Sequence, residues 1–520
     1  MRKTTLITLL LAASTSLFAQ QSEIIKSSRN EKWWGISSSY GIELPFQKAM
    51  EIDFENQIFI DPSASILVSS SGRYLFSDSN LNVTIGDDAT IEVTAKNGDF
   101  VVEKGGKTLR EAVLYMSQRN LKNNKESVDS EVLALPFINF RGSGGENELL
   151  QTVENLKSQG IEKSLFILSN SWQKYSGALE FDYQEYPNPK GTIDNLHRGG
   201  YLVYLSILPL VSPDSELFLE LRDKEFLINE ANTTRPILVG WEGGYSAMYD
   251  LNNPKAKAYF ASKLEQIKSK YGVDGFVFMP KSLGQVKSYK GSDYAVNYSK
   301  EWVNLASKYS SSIVDGGVNI QNLSVINKLG ERKYSFENIS SAISSVVTAG
   351  MLGYPYCSIS TSDIKPHSED DELLNVRLTQ LQALMPIFNT PIDMYSYSKS
   401  NIEAINSALA LNKKMSGYIK ELITENSQTG APIVRHIEYE FQGKSFYDCN
   451  DQFMLGSRYL VAPFLGKENK RMVRLPNGYW VDDLGVKYHG PRVIEITGNR
   501  NRIPYFENIK NSTTIKQMFK

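Results

Sequence analysis

Three features of this 520-residue sequence predict a multidomain chain with an N-terminal β-sandwich, a central (β/α)8 barrel and a C-terminal β domain. Residues 24–107 hold short alternating runs broken by turn residues, among them QIFIDPSASILVSS, GRYLFSD and LNVTIGDDATIEVTA. Such runs read as antiparallel strands at regular spacing. The middle of the chain alternates helical periodicity with short apolar strands, the repeat unit of an α/β barrel. A second β region opens at APIVRHIEYEF. The length allows a large core and more than one domain. The divisions expected are 1–19 (signal peptide), 20–125 (N-terminal β-sandwich), 130–425 (barrel) and 430–520 (C-terminal β domain).

Arg2-Lys3, an apolar run over 5–18 and Ala19 before Gln20-Gln21 read as a secretory signal. The run is short for a membrane span. Export to a periplasm or beyond is therefore expected, with no spanning segment. Lys+Arg 56 against Asp+Glu 58 leaves a net charge of −2, which gives no electrostatic case for nucleic acid or an anionic membrane. Cys357 and Cys449 both lie in segments that read as buried, either as two thiols or as one disulfide. No zinc-type Cys/His spacing exists, and no metal or cofactor is expected.

Taken in order, 108–118 reads as a helix and 117–131 as a polar linker. The barrel is expected to begin with a strand at 132–138 (VLALPFI), followed by a helix over 147–159 and a strand over 164–169. The clearest unit spans 241–282. Asn253 and Pro254 supply a cap and a first-turn proline. Ala256, Tyr259, Phe260, Leu264 and Ile267 recur at helical spacing. Gly272 ends the helix, because it takes the left-handed conformation readily. The apolar run 273–279 then reads as a buried parallel strand, and Asp274 as a structural acceptor near its start. Barrel active sites sit at C-terminal strand ends, and this strand ends on Met279.

The same stretch carries a resemblance. GYSAMYDLNNPKAKAYF and GVDGFVF are similar to the pattern "GYSAvlDLtNPeA…WF…L…GVDGFKFDaGE" of the family-31 glycoside hydrolases, retaining α-glycosidases on a TIM barrel. The likeness is closest to the branch containing the myogenesis-regulating glycosidase. Trp172, Tyr186-Pro187, Leu196-His197 and 211–215 resemble a second block. SAISSVVTAGMLGYPYC, DQFMLGSRYLVAPFLG, VRLPNGYWVDD and IPYFEN resemble later ones, the last three in a closing C-terminal β-sandwich.

What the resemblance implies for the site is a frame with altered chemistry. The family's Lys falls at Val277, its nucleophilic Asp at Met279 and its Glu at Ser282. The family's two acidic positions before the Trp, where an Asp grips a sugar hydroxyl, fall at Ser169 and Asn170. The acid/base falls near Gly330 or Glu331, and Glu331 is the carboxylate available there. Asp363 falls near a further family Asp, and Trp172 and Trp241 fall near strand ends where an indole can stack on a sugar. Retaining hydrolysis needs two carboxyl groups about 5 Å apart, and a thioether supplies neither charge nor a good nucleophile. The expectation is an exported homologue that acts on or binds α-glycosides through a residual carbohydrate-binding cleft, with retaining catalysis lost or strongly impaired. The alternative is an active α-glycosidase hydrolysing O-glycosyl bonds with relocated groups, Tyr289, Asp293 and Tyr294 being nearest in sequence, or on an unusual substrate. A third, structural role would leave the barrel mouth filled by side chains. His197 reads as a packing residue and His367 as solvated.

Overall fold

The protein, seen here as a computed structural model, is described over residues 21–509 except 55, 58, 88–89, 96–97, 122–127, 143, 242–243, 280–282, 331, 360–365 and 444–445. The expected signal sequence lies outside the described residues, as do Glu331, Ser282 and Asp363.

Two antiparallel sheets form the N-terminal part. One orders Gln21–Lys26, Thr90–Ala95, Asn82–Ile85 and Met50–Asp53; the other brings Trp33–Ser37, Arg73–Phe76 and Val101–Lys104 around Pro62–Ser69. Alternation sends Val83, Ile85, Ile91 and Val93 into the core, as period-two patterning requires. Helix Leu109–Asn120 follows, capped by Thr108, whose side chain accepts from the Glu111 amide at 3.2 Å.

The barrel has eight strands: β1 (Pro136–Phe140), β2 (Leu165–Leu168), β3 (Leu202–Ile207), β4 (Gly275–Phe278), β5 (Ile313–Asp315), β6 (Ile326–Lys328), β7 (Cys357–Ser358) and β8 (Phe388–Asn389). They pair in parallel from β8 through β1 to β7. Between β7 and β8 the Asn389 side-chain amide donates to Ser358 Oγ at 3.0 Å, linking the two ends of the sheet. The helices on the outside are α1 (Gly145–Ser158), α2 (Pro189–Arg198), α3 (Pro254–Tyr271), α4 (Leu283–Lys290), α5 (Ser292–Ala306), α6 (Ser340–Met351), α7 (Glu369–Gln382) and α8 (Lys399–Thr429). This is the TIM-barrel architecture.

The β-rich start of the barrel differs from the expectation. Residues Ser130–Leu133 form a short helix capped by Asp129, and β1 begins only at Pro136. The Asp129 side chain accepts from the Glu131 amide at 2.9 Å, which favours a helical turn over extension. By contrast α3 forms as its sequence dictates. Asn253 accepts from the Lys255 amide, Pro254 opens the first turn, and Gly272 closes it at φ 80°. Its buried stripe of Ala256, Phe260, Leu264 and Ile267 faces the barrel; each large apolar side chain so buried contributes roughly 1.5–3 kcal/mol.

Two packing facts decide which side chains of β4 look inward. Phe278 meets Trp302 of α5 edge-to-face with centroids 5.0 Å apart, and Phe276 meets Tyr309 in the same way at 5.1 Å. Those residues therefore face the helical layer, and the alternate Gly275, Val277 and Met279 face the barrel interior. A Cβ on Gly275 would stand 2.5 Å from the ring of Tyr204, which crosses the interior there. The C-terminal domain is an antiparallel sheet of six strands with its own core of Ile437, Trp480 and Phe506.

Candidate functional site: the barrel mouth

At the C-terminal strand ends the register places side chains level with one another. Val277 pairs with Ile313 and Phe278 with Val314, so Met279 comes level with Asp315 at the end of β5. Asp315 pairs in turn with Lys328 at the end of β6, and Lys328 with Ser358 at the end of β7. Neighbouring strands lie about 4.8 Å apart. All these positions belong to the inward-facing set fixed by Val277. The mouth thus runs Met279, Asp315, Lys328, Ser358, Asn389 around one arc. Met279, Asp315 and Lys328 are each half-buried.

The N-terminal sandwich closes over the β5–β6 side of this arc. Gly317–Val318 pairs with Pro62–Ser63 as an extra strand of the sandwich sheet. Asp61 is 2% exposed; its carboxylate accepts from the Gly330 amide at 2.9 Å and from Arg332 Nη2 at 2.5 Å. Arg332 also donates through Nη1 to Ser345 Oγ of α6 at 2.6 Å. One buried carboxylate from another domain therefore fixes both neighbours of residue 331. Ile60 rides above Gly316 and Gly330: a Cβ at either would come within 2.8 Å of Ile60 atoms. Gly316 adopts φ +61°, which suits glycine. Yet Ile60 remains 58% exposed, an apolar edge on the mouth.

Each sequence-derived candidate has a clear place. Met279 packs against the main core, and its amide donates to the Ile207 carbonyl at 3.2 Å. Ser169 and Asn170 are half-buried at the end of β2. Asn170 Oδ1 is engaged by the Gln173 side-chain amide at 2.6 Å. Trp172 corrects the expectation of an aromatic wall. It is 0% exposed, packs on Phe181 with centroids 4.9 Å apart, and donates its indole N–H to the Ser206 carbonyl at 2.9 Å. A ring with no exposed face cannot stack on a sugar. Trp241 is half-buried in the hairpin of Val239–Trp241 and Gly244–Met248. On that hairpin Tyr245 is 69% exposed, and on α4, whose Gln285 accepts from the Gly240 amide at 2.9 Å, Tyr289 is 43% exposed. These tyrosines, unlike Trp172, present open aromatic surface.

Other expectations resolve in the same way. Asp274 is structural: one oxygen accepts from the Val203 amide at 2.7 Å and meets His197 Nε2 at 2.9 Å, tying α2 to the bases of β3 and β4. Tyr294 donates to Asp250 at 2.6 Å, and burial with that carboxylate drives its pKa well up, the opposite of an activated nucleophile. His367 is exposed. Cys357 and Cys449 are both free and buried, which excludes a disulfide between them in this structure. Among the described residues no group of three or more His, Cys, Asp or Glu could hold a metal ion. Asp61, Asp315 and Lys328 were not singled out by sequence reasoning. The signal for Asp315 was an acid closing the apolar pair Ile313-Val314 before Gly316-Gly317, the mark of a strand end.

Comparison with known proteins fits this geometry. The chain has the features of a glycoside-hydrolase-type TIM barrel whose fourth strand ends on an apolar residue. A model of the TIM-barrel domain of glycosyl hydrolases family 31 matches residues 133–296, and one of the family's C-terminal domain matches residues 430–509. The barrel and C-terminal regions of the chain thus match domains of glycoside hydrolase family 31. Myogenesis-regulating glycosidase from Mus musculus is 27% identical over 361 residues, covering 64% of this chain and 50% of its own length. Isomaltosyltransferase from Sporosarcina globispora is 22% identical over 416 residues, 70% of this chain and 38% of its own. The chain thus spans about half the length, or less, of these curated relatives. The Flavobacterium johnsoniae dextranase complexed with glucose superposes with a TM-score of 0.82 at 16% identity, covering 94% of this chain and 66% of that one. A soil-metagenome α-xylosidase complexed with xylose gives 0.81 at 16%, with 96% and 80% covered.

Proposed function

We propose that this chain is exported and binds an α-glycoside or glycan at the barrel mouth, with retaining hydrolysis lost or strongly impaired. One observation carries the reading: the β4 strand end, where the family resemblance implies the nucleophile, holds Met279 packed against the core. An oxocarbenium-like transition state there would meet a neutral, soft side chain in place of an anion. Support for a sugar ligand comes from relatives: the similar dextranase and α-xylosidase structures hold glucose and xylose. Support for export is the basic and apolar N-terminal pattern.

Asp315, level with Met279, gives the alternative its foothold, since a carboxylate one strand over could in principle replace the missing one. Among the described strand-end residues of the mouth it is the sole carboxylate, and Glu331 and Asp363 lie outside the described residues. Double displacement needs two carboxyl groups. The test is turnover of a panel of aryl α-glycosides by the unmodified protein, with Met279→Asp combined with Gly330→Asp as a reconstruction. No turnover before and measurable turnover after is expected. Hydrolysis by the unmodified protein that disappears in Glu331→Gln would refute the proposal.

A further inference from the structure

Building on that binding reading, we propose that Asp315 is the carboxylate that grips a ligand hydroxyl at the mouth, setting both affinity and selectivity for a neutral pyranose. Four observations converge on it. Its register with Met279 and with Lys328 sets it in the middle of the polar arc. Strand alternation turns it inward, as it does Val277 and Ile313. It is half-buried, so a hydrogen bond it accepts is partly desolvated and charge-assisted. It also sits on a rigid strand end rather than a mobile loop. The next residue, Gly316, donates its amide to the Lys328 carbonyl at 3.2 Å and is covered by the Ile60 backbone.

The neutrality of Met279 is part of the argument. A single anion in this arc accepts an O–H without the repulsion that two adjacent carboxylates would impose on each other. The ammonium of Lys328, next in register, offers a donor to the oxygen of a neighbouring hydroxyl. A carboxylate beside an ammonium matches a vicinal diol, the repeating polar feature of a pyranose. Ile60, 58% exposed where it covers Gly316, supplies apolar surface for a ring face.

The experiment is titration calorimetry of the full chain with glucose, xylose and isomaltotriose, then with the monodeoxy derivatives of whichever monosaccharide binds. The wild type should bind at least one of the three at millimolar concentration or better and should reject one or two adjacent deoxy positions. Asp315→Asn should weaken binding about tenfold to a hundredfold and abolish that discrimination, with an unchanged far-ultraviolet spectrum. Asp315→Asn binding as tightly as wild type would overturn the assignment while leaving the binding reading intact. Wild-type indifference to every deoxy position would do the same without any variant. No binding of any of the three sugars would overturn both. Hydrolysis of an aryl α-glycoside that Asp315→Asn abolishes would overturn it by making the group a catalyst.

Discussion

Replacing Asp61 by Asn removes a single charge while preserving shape and one acceptor oxygen, so it isolates what the carboxylate does for the loop around residue 331. Asp61 is almost fully buried, and its ion pair with Arg332 is 2.5 Å long with the arginine side chain 18% exposed. Breaking a fully buried pair costs about 3–5 kcal/mol through the charge left behind. Arg332 keeps Ser345 as acceptor and some contact with water, so about 2 kcal/mol is the expected loss. The Gly330 amide donates to the same carboxylate and reports the change directly. Local opening easier by about 2 kcal/mol makes its hydrogen exchange roughly thirtyfold faster. Exchange measured peptide by peptide should show the effect over 329–334 and at Pro62–Ser69, and little in the C-terminal sheet. Exchange at Gly330 within about twofold of wild type would refute the claim that this carboxylate fixes the loop.

Two further outcomes follow from buried groups. Burial lifts the Glu438 carboxyl to about 7 against the hydrogen bond it accepts from Gly443, and lowers the His436 imidazole to about 4. Between about pH 4.5 and 6.5 the folded state therefore holds a proton at Glu438 that the unfolded chain has lost, so stability falls with rising pH. At His436 it lacks one that the unfolded chain holds, so stability rises, and the opposed slopes of about 1.4 kcal/mol per pH unit cancel. Glu438→Gln should expose the histidine slope, a gain of roughly 2–3 kcal/mol from pH 4.5 to 6.5 relative to wild type in denaturant titrations; equal profiles would contradict it. Met279→Asp alone should destabilise by about 2 kcal/mol, because it half-buries an anion beside Asp315. Adding Val277→Lys should recover part of that loss, and strictly additive effects in the double-mutant cycle would argue against a shared interior.

Much of the architecture was legible from local signals. The α3–β4 unit could be read because its cap, apolar stripe and terminating glycine all lie within one stretch of chain. The start of β1 was misread because Val132, Leu133 and Leu135 look like strand residues, while Asp129 caps a helical turn just before them. Trp172 misled for a related reason. Polar Ser169, Asn170 and Ser171 suggest a surface turn, but the 3-10 turn Asn170–Trp172 swings the indole under Ser206. Asp315 and Lys328 needed strand register, which composition does not encode. Asp61 needed a contact spanning 271 residues to Arg332. Non-local geometry is where a single sequence falls silent.

On the proposed reading, the frame persists without the charges that the family resemblance implies at the end of β4. Val277 is 3% exposed and Met279 half-buried, both in the barrel interior. Replacing a buried ionic pair by apolar groups of similar volume is often neutral or stabilising, since the desolvation cost vanishes along with the attraction. The polar groups whose loss would harm the fold are different ones. Asp274 joins α2, β3 and β4; Asp61 joins the sandwich to the β6 loop; Ser358 and Asn389 join the ends of the sheet. None of these lies on the β4 strand end. Selection for a folded barrel could therefore hold the frame whatever side chains end β4, and the proposed binding site centred on Asp315 requires only that the strand ends stay in register.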